Sequence, residues 1–522
     1  MPRHELRTLI DLVEEQARQR PEQAAFYWED QPVSYDALWR GVNRFAARLG
    51  QLGVVRGDRV LIGLPNGPDF FAAFYGAIRA GAIAVPAFPA SGPERLAALA
   101  RLCGATLLVV PGATSTVVDG VRTLTVADSD DCGSDGVFPD IDPYDIAFLQ
   151  YTSGSTGMPK GVMLSHHGLL TNIRQLIAGM AITSSDCFVS WLPVYHDMGL
   201  ILMTMVPFFL GAKLVLLPTS LANARPWLVA ITRHRGTLTA APDFAYRLAL
   251  RYVRDPSVYD LTSLRVALNA AEPVRPTTLA GFEQAFGLHN VLIAGYGLAE
   301  ATVGVCTWTP GVAPLVDARG VVSVGGAFND VDIQILENDA PAAAGVVGDI
   351  VIQSPANTRG YFSDAAETAA LFWRESYVRT GDLGYLDEDR HLFITGRRKN
   401  IIKHGGETIF PQEAEQITDS VPGVRRSAAV GIDAGGPEGE QLYVFAEVSK
   451  PAGLDERELQ ETVISVVQAI HAQLGIRPAR VYLLKPRGIP LTHNGKTRHA
   501  ELRDTYESGA LRASGVILFP GY

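Results

Sequence analysis

Short apolar runs of strand length alternate with helix-like patterns through the first three hundred residues. The runs consist mostly of apolar residues and lie at 59–63, 83–87, 106–110, 188–192, 213–217, 265–268 and 291–293. Apolar residues at helical spacing occupy 70–80 and 95–102 between the first of these runs. Strands that alternate with helices predict a mostly parallel sheet with helices on both faces, so the predicted fold class is α/β.

The pattern changes twice further along the chain. After about residue 320, β-rich runs such as VDIQIL and GDIVIQ, separated by Gly and Asp turns, predict a small distorted β-barrel. After Gly396 the stretch RRKNIIKHGG is basic and rich in glycine, and the α/β pattern then resumes. We therefore predict a large N-terminal domain (1–396) with two α/β subdomains and the barrel, a hinge (397–400) and a small mobile α+β C-terminal domain (401–522).

The most apolar run, 200–212, is interrupted by Pro207 and is shorter than the about 20 residues that a membrane-spanning helix needs. It predicts a buried helix and no membrane span. The first 23 residues mix apolar and charged positions like an amphipathic helix and lack the apolar core of a signal peptide. We therefore expect a cytoplasmic protein.

Composition narrows the class of protein further. A chain of 522 residues is too long for one compact core, and its formal net charge of −10 argues against a nucleic-acid partner. Cys103, Cys132, Cys187 and Cys306 are widely spaced and form no CxxC pair. This spacing favours neither a disulfide framework nor a zinc site.

Residues 148–166, FLQYTSGSTGMPKGVMLSH, carry the strongest chemical signal in the chain. Glycines let backbone N–H groups approach an anion closely, hydroxyls add donors, and Lys160 offsets negative charge. It is not a Walker loop, because Lys160 is followed by Gly161 and not by Ser or Thr. A short Ser/Thr/Gly cluster is usually a flexible turn, but the nine-residue string TSGSTGMPK favours a loop that holds a polyphosphate.

Polar or aromatic residues also follow two predicted strands of the sheet. The sequence GYGLAE begins like a dinucleotide-binding fingerprint, but Glu300 stands where a third glycine belongs. We interpret it as a tight strand-to-helix turn that brings Tyr296 against a flat ring and directs Glu300 at a cation. The sequence AAEP at 270–273 ends the preceding strand in a similar way. Such strand ends are where ligands bind in open α/β sheets.

Asp382 lies in YVRTGDLGY, which we predict to be a turn just before a strand. A carboxylate beside glycines can accept hydrogen bonds from two ribose hydroxyls, although a simple Asx turn is the more common explanation. Arg397 closes the next predicted strand and could reach the same ligand.

Two further sites are ambiguous by themselves. His196 and Asp197 form a polar pair within the apolar stretch SWLPVYHDMGL, and a hydrogen-bonded core histidine explains that pair equally well. Lys496 lies on the glycine-bearing turn PLTHNGKTR, where a lysine is normally a solvated surface charge. It becomes catalytic only if the small domain folds over the phosphate loop and Lys496 offsets charge at a phosphate.

Taken together and in this order, the motifs resemble the adenylate-forming superfamily of acyl-CoA synthetases, luciferases, peptide-synthetase adenylation domains and fatty-acyl-AMP ligases. The resemblance covers nearly the whole chain. LQYTSGSTGMPKGVMLSH, SWLPVYHDMGLI, AAEPV and YGLAEAT look most like the fatty-acyl-AMP ligase branch. Ala299 before Glu300, where other branches usually have threonine, suits that branch as well.

The resemblance implies ATP and Mg²⁺ as cofactors, and it implies a role for each site residue. Lys496, Lys160 and His196 would be catalytic, with Lys496 bridging the substrate carboxylate and the α-phosphate, and Lys399 would be the hinge residue. The nucleotide would be bound by Thr152, Ser153, Gly154, Ser155, Thr156, Gly157, Ala271, Glu272, Gly295, Tyr296, Gly297, Asp382, Arg397 and Lys496. The metal would be bound by Glu300 and Thr156. The acid would lie near Tyr195, His196, Asp197, Gly199 and Ala299.

The function so implied is activation of a fatty or related apolar carboxylic acid as acyl-AMP, followed by transfer to the phosphopantetheine thiol of a holo-acyl carrier protein. Three alternatives stay open: an acyl-CoA or aryl-CoA ligase, an enzyme that adenylates a β- or other amino acid paired with Asp197, and a non-catalytic nucleotide-binding protein. Fatty-acyl-AMP ligases typically carry an extra segment that disfavours CoA, and the compact stretch 361–380 leaves no obvious room for it. The hinge also departs from the family, which often has an acidic residue where Asn400 stands.

Overall fold

The computed structural model describes residues 6–112, 118–133, 136, 138–152, 159–219, 224–404, 407–433, 440–449, 455–492 and 496–519. Contacts divide the chain into two compact units. The first contains Met1–Gln334, Val351–Thr380 and Asp389–Leu392, and the second contains Ile335–Ile350, Gly381–Glu388 and Phe393–Tyr522. The division at 396–401 that the sequence suggests stays a prediction.

The first unit contains the alternating strands and helices that the apolar pattern predicts. Its strands are β1 Ala24–Trp28, β2 Gln31–Ser34, β3 Arg59–Ile62, β4 Ile83–Pro86, β5 Leu107–Val109, β6 Arg122–Leu124, β7 Ile146–Thr152, β8 Lys160–Ser165, β9 Cys187–Ser190, β10 Lys213–Leu216, β11 Leu238–Ala241, β12 Val266–Asn269, β13 Leu292–Tyr296, β14 Cys306–Thr307 and β15 Gly326–Ala327. Its helices are α1 Leu9–Gln19, α2 Tyr35–Gln51, α3 Pro68–Arg79, α4 Pro93–Cys103, α5 His166–Gly179, α6 Val206–Leu210, α7 Arg225–His234, α8 Asp243–Tyr252, α9 Pro276–Phe286 and α10 Ala365–Leu371.

These strands form two sheets. One has nine strands in the order β15-β14-β13-β12-β11-β9-β10-β1-β2, and the other has six in the order β6-β5-β3-β4-β7-β8. Pairing is parallel from β13 through β10 to β1, and likewise from β6 through β3 to β7. The β7–β8 pair is antiparallel. The α/β class and the predicted strands are confirmed, and ligands bind at the carboxyl ends of the strands in open sheets of this class.

The predicted buried helix at 200–212 is confirmed, with one difference in its geometry. The segment Met198–Met205 is a π-helix, every residue of which is buried, and α6 continues it. Such segments are uncommon and occur frequently at functional sites, and no sequence pattern announces this one. Among the described residues, no helix is both long enough and apolar enough to cross a bilayer.

The stretch after residue 320 is rich in β-strands, as the pattern predicts, and the C-terminal part contains both strands and helices. Strands β16 Asp332–Glu337, β17 Ala340–Pro341, β18 Gly348–Gln353, β19 Phe372–Trp373, β20 Tyr377–Leu386 and β21 Leu392–Arg397 form a six-stranded sheet. They are followed by β22 Ile402–His404, β23 Glu407–Ile409, α11 Pro411–Asp419, β24 Val424–Asp433, β25 Glu440–Val448, α12 Glu456–Leu474, β26 Arg480–Leu484, α13 His499–Glu507, α14 Ala510–Ala513 and β27 Ile517–Phe519. Strands β24 to β27 form a four-stranded sheet, and α11 and α12 bury their apolar faces in the same core as this sheet.

Candidate functional site

The predicted phosphate loop connects the two strands of the β7–β8 hairpin. Thr152 at the end of β7 is the register partner of Lys160 at the start of β8. Ser153, Gly154, Ser155, Thr156 and Gly157 lie outside the described residues, so their assignment as phosphate and metal ligands stays a prediction. The hairpin fixes the two ends of the loop, and Lys160 stands at its exit.

Lys160 contacts two side chains from a distant part of the chain. Its Nζ lies 2.5 Å from Glu367 Oε2 and 4.9 Å from the centroid of the Tyr361 ring. The lysine side chain is 21% exposed and that of Glu367 is 43% exposed. A partly exposed ion pair of this kind contributes at most about 1 kcal/mol, so an incoming phosphate can replace the carboxylate at little cost.

Tyr361 connects Lys160 with the predicted metal ligand. Its hydroxyl donates a hydrogen bond to Glu300 Oε1 at 2.8 Å. Burial raises the pKa of this tyrosine well above its usual range, and the negative charge of Glu300 raises it further, so the hydroxyl stays a donor. The segment is held against β8, where Phe362 N donates to Gly161 O at 2.8 Å.

Glu300 itself lies on a tight turn after β13, as the sequence predicts. A 3₁₀ turn, Ala299–Ala301, follows the strand directly. At Gly297 an added Cβ would lie 1.6 Å from Val303 O, so only glycine fits there. Thr302 has a φ of 74°, and its buried hydroxyl donates to the backbone oxygen of residue 356 at 2.6 Å. Such strained backbone costs of order 1–3 kcal/mol and is typical of ligand-binding turns.

The predicted nucleotide-binding residues at the ends of β12 and β13 show the same kind of backbone. Ala271, just after β12, has a φ of 71°, which is unusual for a residue with a Cβ. Glu272 Oε1 accepts a hydrogen bond from Phe244 N at the start of α8. An added Cβ at Gly295 would lie 2.8 Å from Leu268 Cδ1, so the strand β13 packs closely on β12. Tyr296 is the last residue of β13 and is half-buried.

His196 and Asp197 form a hydrogen-bonded pair at the start of the π-helix. His196 Nδ1 lies 2.6 Å from Asp197 Oδ1, which also accepts from Met198 N at 2.7 Å. Tyr195 is buried, and burial raises its pKa to about 12. An added Cβ at Gly199 would lie 2.2 Å from the carbonyl oxygen of residue 193, so this glycine is required by packing.

Asp382 and Arg397 meet in the second unit, and here one prediction is wrong. Asp382 lies inside the long strand β20 and not in a turn before a strand. The reason is that Gly381, with a φ of 72°, accommodates the irregular backbone without ending the strand. Arg397, at the end of β21, places its Nε 2.8 Å from Asp382 Oδ1, and the carboxylate is buried.

The remaining predicted residues, Lys399 and Lys496, also belong to the second unit. Lys399 is in the 3₁₀ turn Arg398–Asn400 that follows β21. The strands β22 and β23, which follow this turn, pair antiparallel. Lys496 is in a hairpin-like turn, where Thr492 N donates to Lys496 O at 2.8 Å.

Comparison with known proteins identifies the family. The sequence profile described as AMP-binding enzyme matches residues 13–362, more than half of the chain. This chain belongs to the AMP-binding enzyme family. It is therefore a ligase of the adenylate-forming class, as the motifs predict.

Three relatives of this AMP-binding enzyme are similar over nearly its whole length. The medium-chain-fatty-acid–[acyl-carrier-protein] ligase JamA of Moorena producens is 30% identical, with 98% of this chain and 97% of JamA covered. The putative fatty-acid–CoA ligase FadD21 of Mycobacterium tuberculosis is 30% identical, with 96% and 98% covered. A solved structure of a fatty acyl-adenylate ligase, from a study of the E. coli and L. pneumophila enzymes, has a TM-score of 0.86 and is 28% identical, with 97% and 98% covered.

Both sequence alignments are longer than the chain itself. They extend over 579 and 574 positions, compared with 522 residues in this enzyme. The two relatives therefore contain residues that have no counterpart here.

Two site residues, Tyr361 and Glu367, were missed by the sequence reasoning. Glu367 contacts a lysine 207 positions away, and Tyr361 contacts a carboxylate 61 positions away. No local pattern signals such long-range contacts. A tyrosine that follows a glycine is common in protein sequences, and so is a glutamate in a short helix.

Proposed function

We propose that this AMP-binding enzyme activates a fatty or related apolar carboxylic acid as acyl-AMP, at the expense of ATP and with release of pyrophosphate. The contact chain from Lys160 through Tyr361 to Glu300 carries the proposal. It joins a cation at the exit of the phosphate loop to a carboxylate that suits a divalent metal. Relatives named for fatty acids support the choice of acid.

Mg²⁺ fits the residues around Glu300. Among the described residues there is no group of three or more His, Cys, Asp or Glu side chains arranged to hold a metal ion. Mg²⁺ is commonly bound through only one or two carboxylates together with the substrate's phosphates, which is the donor set that Glu300 and ATP would supply. The bound ion would offset the charge of the triphosphate.

The protein's own residues then have distinct tasks. Lys160 exchanges Glu367 for a phosphate of ATP, which lowers the repulsion between the triphosphate and the incoming carboxylate. Asp382 accepts hydrogen bonds from the ribose hydroxyls, with Arg397 holding the carboxylate in position. Lys496 stabilises the charge that develops at the α-phosphate while the P–O bond to pyrophosphate breaks.

The acceptor we propose is the phosphopantetheine thiol of a holo-acyl carrier protein. The JamA relative supports it, and the fatty-acid–CoA ligase relative keeps free CoA as the second candidate. Free CoA is also worth testing because the compact stretch 361–380 leaves no obvious room for the extra segment that disfavours CoA in fatty-acyl-AMP ligases.

An amino-acid substrate is less favoured by the geometry. Asp197 Oδ1 already accepts hydrogen bonds from His196 and Met198 N. A substrate amine would have to compete with these donors for the carboxylate.

The acceptor test starts from labelled acyl-AMP formed on the enzyme. Equal concentrations of holo-carrier protein, apo-carrier protein and CoA are added, and the labelled thioester is measured. We expect transfer to the holo-carrier protein at least tenfold faster than to CoA, and none to the apo form. Faster transfer to CoA would make the enzyme a CoA ligase, and the adenylation proposal would stand.

A further inference from the structure

Residues 490–492 and 496–498, here called the Lys496 turn, lead directly into α13. Lys496 N donates to Thr492 Oγ1 at 3.1 Å, and Arg498 N donates to Pro490 O at 3.0 Å. These bonds make the described part of the turn one compact hairpin. Because α13 begins at His499, whatever holds His499 also holds the end of the Lys496 turn.

His499 is held by a carboxylate of α11. Its Nε2 lies 2.6 Å from Glu415 Oε1, and the two side chains are only 16% and 13% exposed. The same oxygen accepts a hydrogen bond from Ala429 N in β24 at 2.9 Å. Glu415 is therefore held by β24, and it in turn holds the imidazole of His499 in place.

The other nitrogen of the ring reaches the predicted hinge. His499 Nδ1 lies 3.5 Å from Asn400 Nδ2, at the end of the 3₁₀ turn that follows Arg397. Asn400 Nδ2 can only donate, as does the Nδ1–H of a charged imidazole, so this approach does not hold the ring, and Glu415 is the partner that fixes it. All of these residues belong to the second unit.

The charges favour an ion pair between the two side chains. Burial lowers the pKa of His499, but the charge of Glu415 and the hydrogen bond to it raise this pKa more, so that it lies above its usual value. Lys399 acts in the opposite direction. A buried pair with this geometry is expensive to break from one side, because the remaining charge loses its partner.

We propose that His499 and Glu415 are positioning residues for Lys496, which tie the Lys496 turn to α11 and β24. The inference rests on the proposed role of Lys496 in adenylation. Lys496 then keeps a fixed position relative to α11 and the β24–β27 sheet. An error of about 1 Å in the position of a catalytic group can cost about 100-fold in rate.

The test separates the two half-reactions in the full-length enzyme. Acid-dependent pyrophosphate exchange measures adenylation, and transfer from supplied acyl-AMP to the thiol acceptor measures the step in which we propose no role for Lys496. For His499→Ala and Glu415→Ala we expect adenylation to fall about 10- to 100-fold through kcat, with KM for ATP nearly unchanged and acyl transfer within about threefold of the original. Glu415→Gln keeps the acceptor oxygen and is expected to lose less than fivefold.

A matched control lies on the same helix. Tyr506→Phe removes a 2.9 Å hydrogen bond between α13 and Tyr482 and leaves His499 untouched, so both half-reactions should be unchanged. Equal losses in both half-reactions for His499→Ala, or no loss in either, would overturn the inference. Absence of exchange activity in the unmutated enzyme would instead refute the proposed function itself.

Discussion

Replacing Tyr361 by Phe removes one hydroxyl and tests the link between the phosphate-loop lysine and the predicted metal ligand. The ring under Lys160 stays, and only the 2.8 Å hydrogen bond to Glu300 Oε1 is lost. A hydrogen bond to a charged acceptor contributes about 1.5–3 kcal/mol, which corresponds to roughly 10- to 100-fold in affinity. Glu300 is only half-buried, so water can replace part of the lost bond. We therefore expect the low end, about tenfold weaker Mg²⁺ affinity.

The assay is the Mg²⁺ dependence of pyrophosphate exchange at fixed ATP, supported by direct Mn²⁺ binding to the complex with a non-hydrolysable ATP analogue. Tyr377→Phe is the matched control, because it removes a 2.7 Å hydrogen bond from a tyrosine to another carboxylate, that of Asp332. The control should keep the original half-saturation. An unchanged Mg²⁺ half-saturation in Tyr361→Phe would refute the idea that this hydroxyl orients a metal-binding Glu300.

Three further predictions concern the rest of the first unit. Glu367→Gln removes the carboxylate paired with the phosphate-loop lysine, so KM for ATP should fall about two- to fivefold in steady-state assays, and a rise would contradict the proposed exchange. Gly297→Ala forces a Cβ to 1.6 Å from Val303 O, so KM for ATP should rise at least tenfold, whereas Gly326→Ala, which meets nothing within 4 Å, should behave like the original. Burial lowers the pKa of His166 to about 4. Between pH 6.5 and about 4, therefore, only the unfolded chain binds the proton. The free energy of unfolding keeps the full contribution of His166, about 3 kcal/mol, above pH 6.5 and loses it as the pH falls to about 4. Urea denaturation between pH 7 and 4 should show this loss, and the loss should be smaller for His166→Gln.

The strands and helices were largely predictable because their signal is local. The runs at 59–63 and 83–87 correspond to β3 and β4, and the apolar stretch at 200–212 is a buried helix. The π geometry of Met198–Met205 was not predictable, because the same apolar residues suit an α-helix equally well. Asp382 was wrongly assigned to a turn, because the sequence TGDLG is typical of a turn. Only the pairing of the surrounding strands shows that it lies inside β20.

The site was predictable only where one motif holds both the residue and its neighbours. Lys160 and Glu300 could be chosen from their motifs. Their connection through Tyr361 depends on a segment about two hundred residues beyond β8 that pairs with that strand. Long-range pairing of this kind leaves no mark on the local sequence.

The most direct measurement of the central claim is exchange of labelled pyrophosphate into ATP across a panel of carboxylic acids of graded chain length. The account predicts exchange that depends on a fatty or related apolar acid and on Mg²⁺, and that is reduced at least 100-fold in both Lys160→Ala and Lys496→Ala. Absence of acid-dependent exchange across the panel, or full exchange in the two lysine variants, would contradict it.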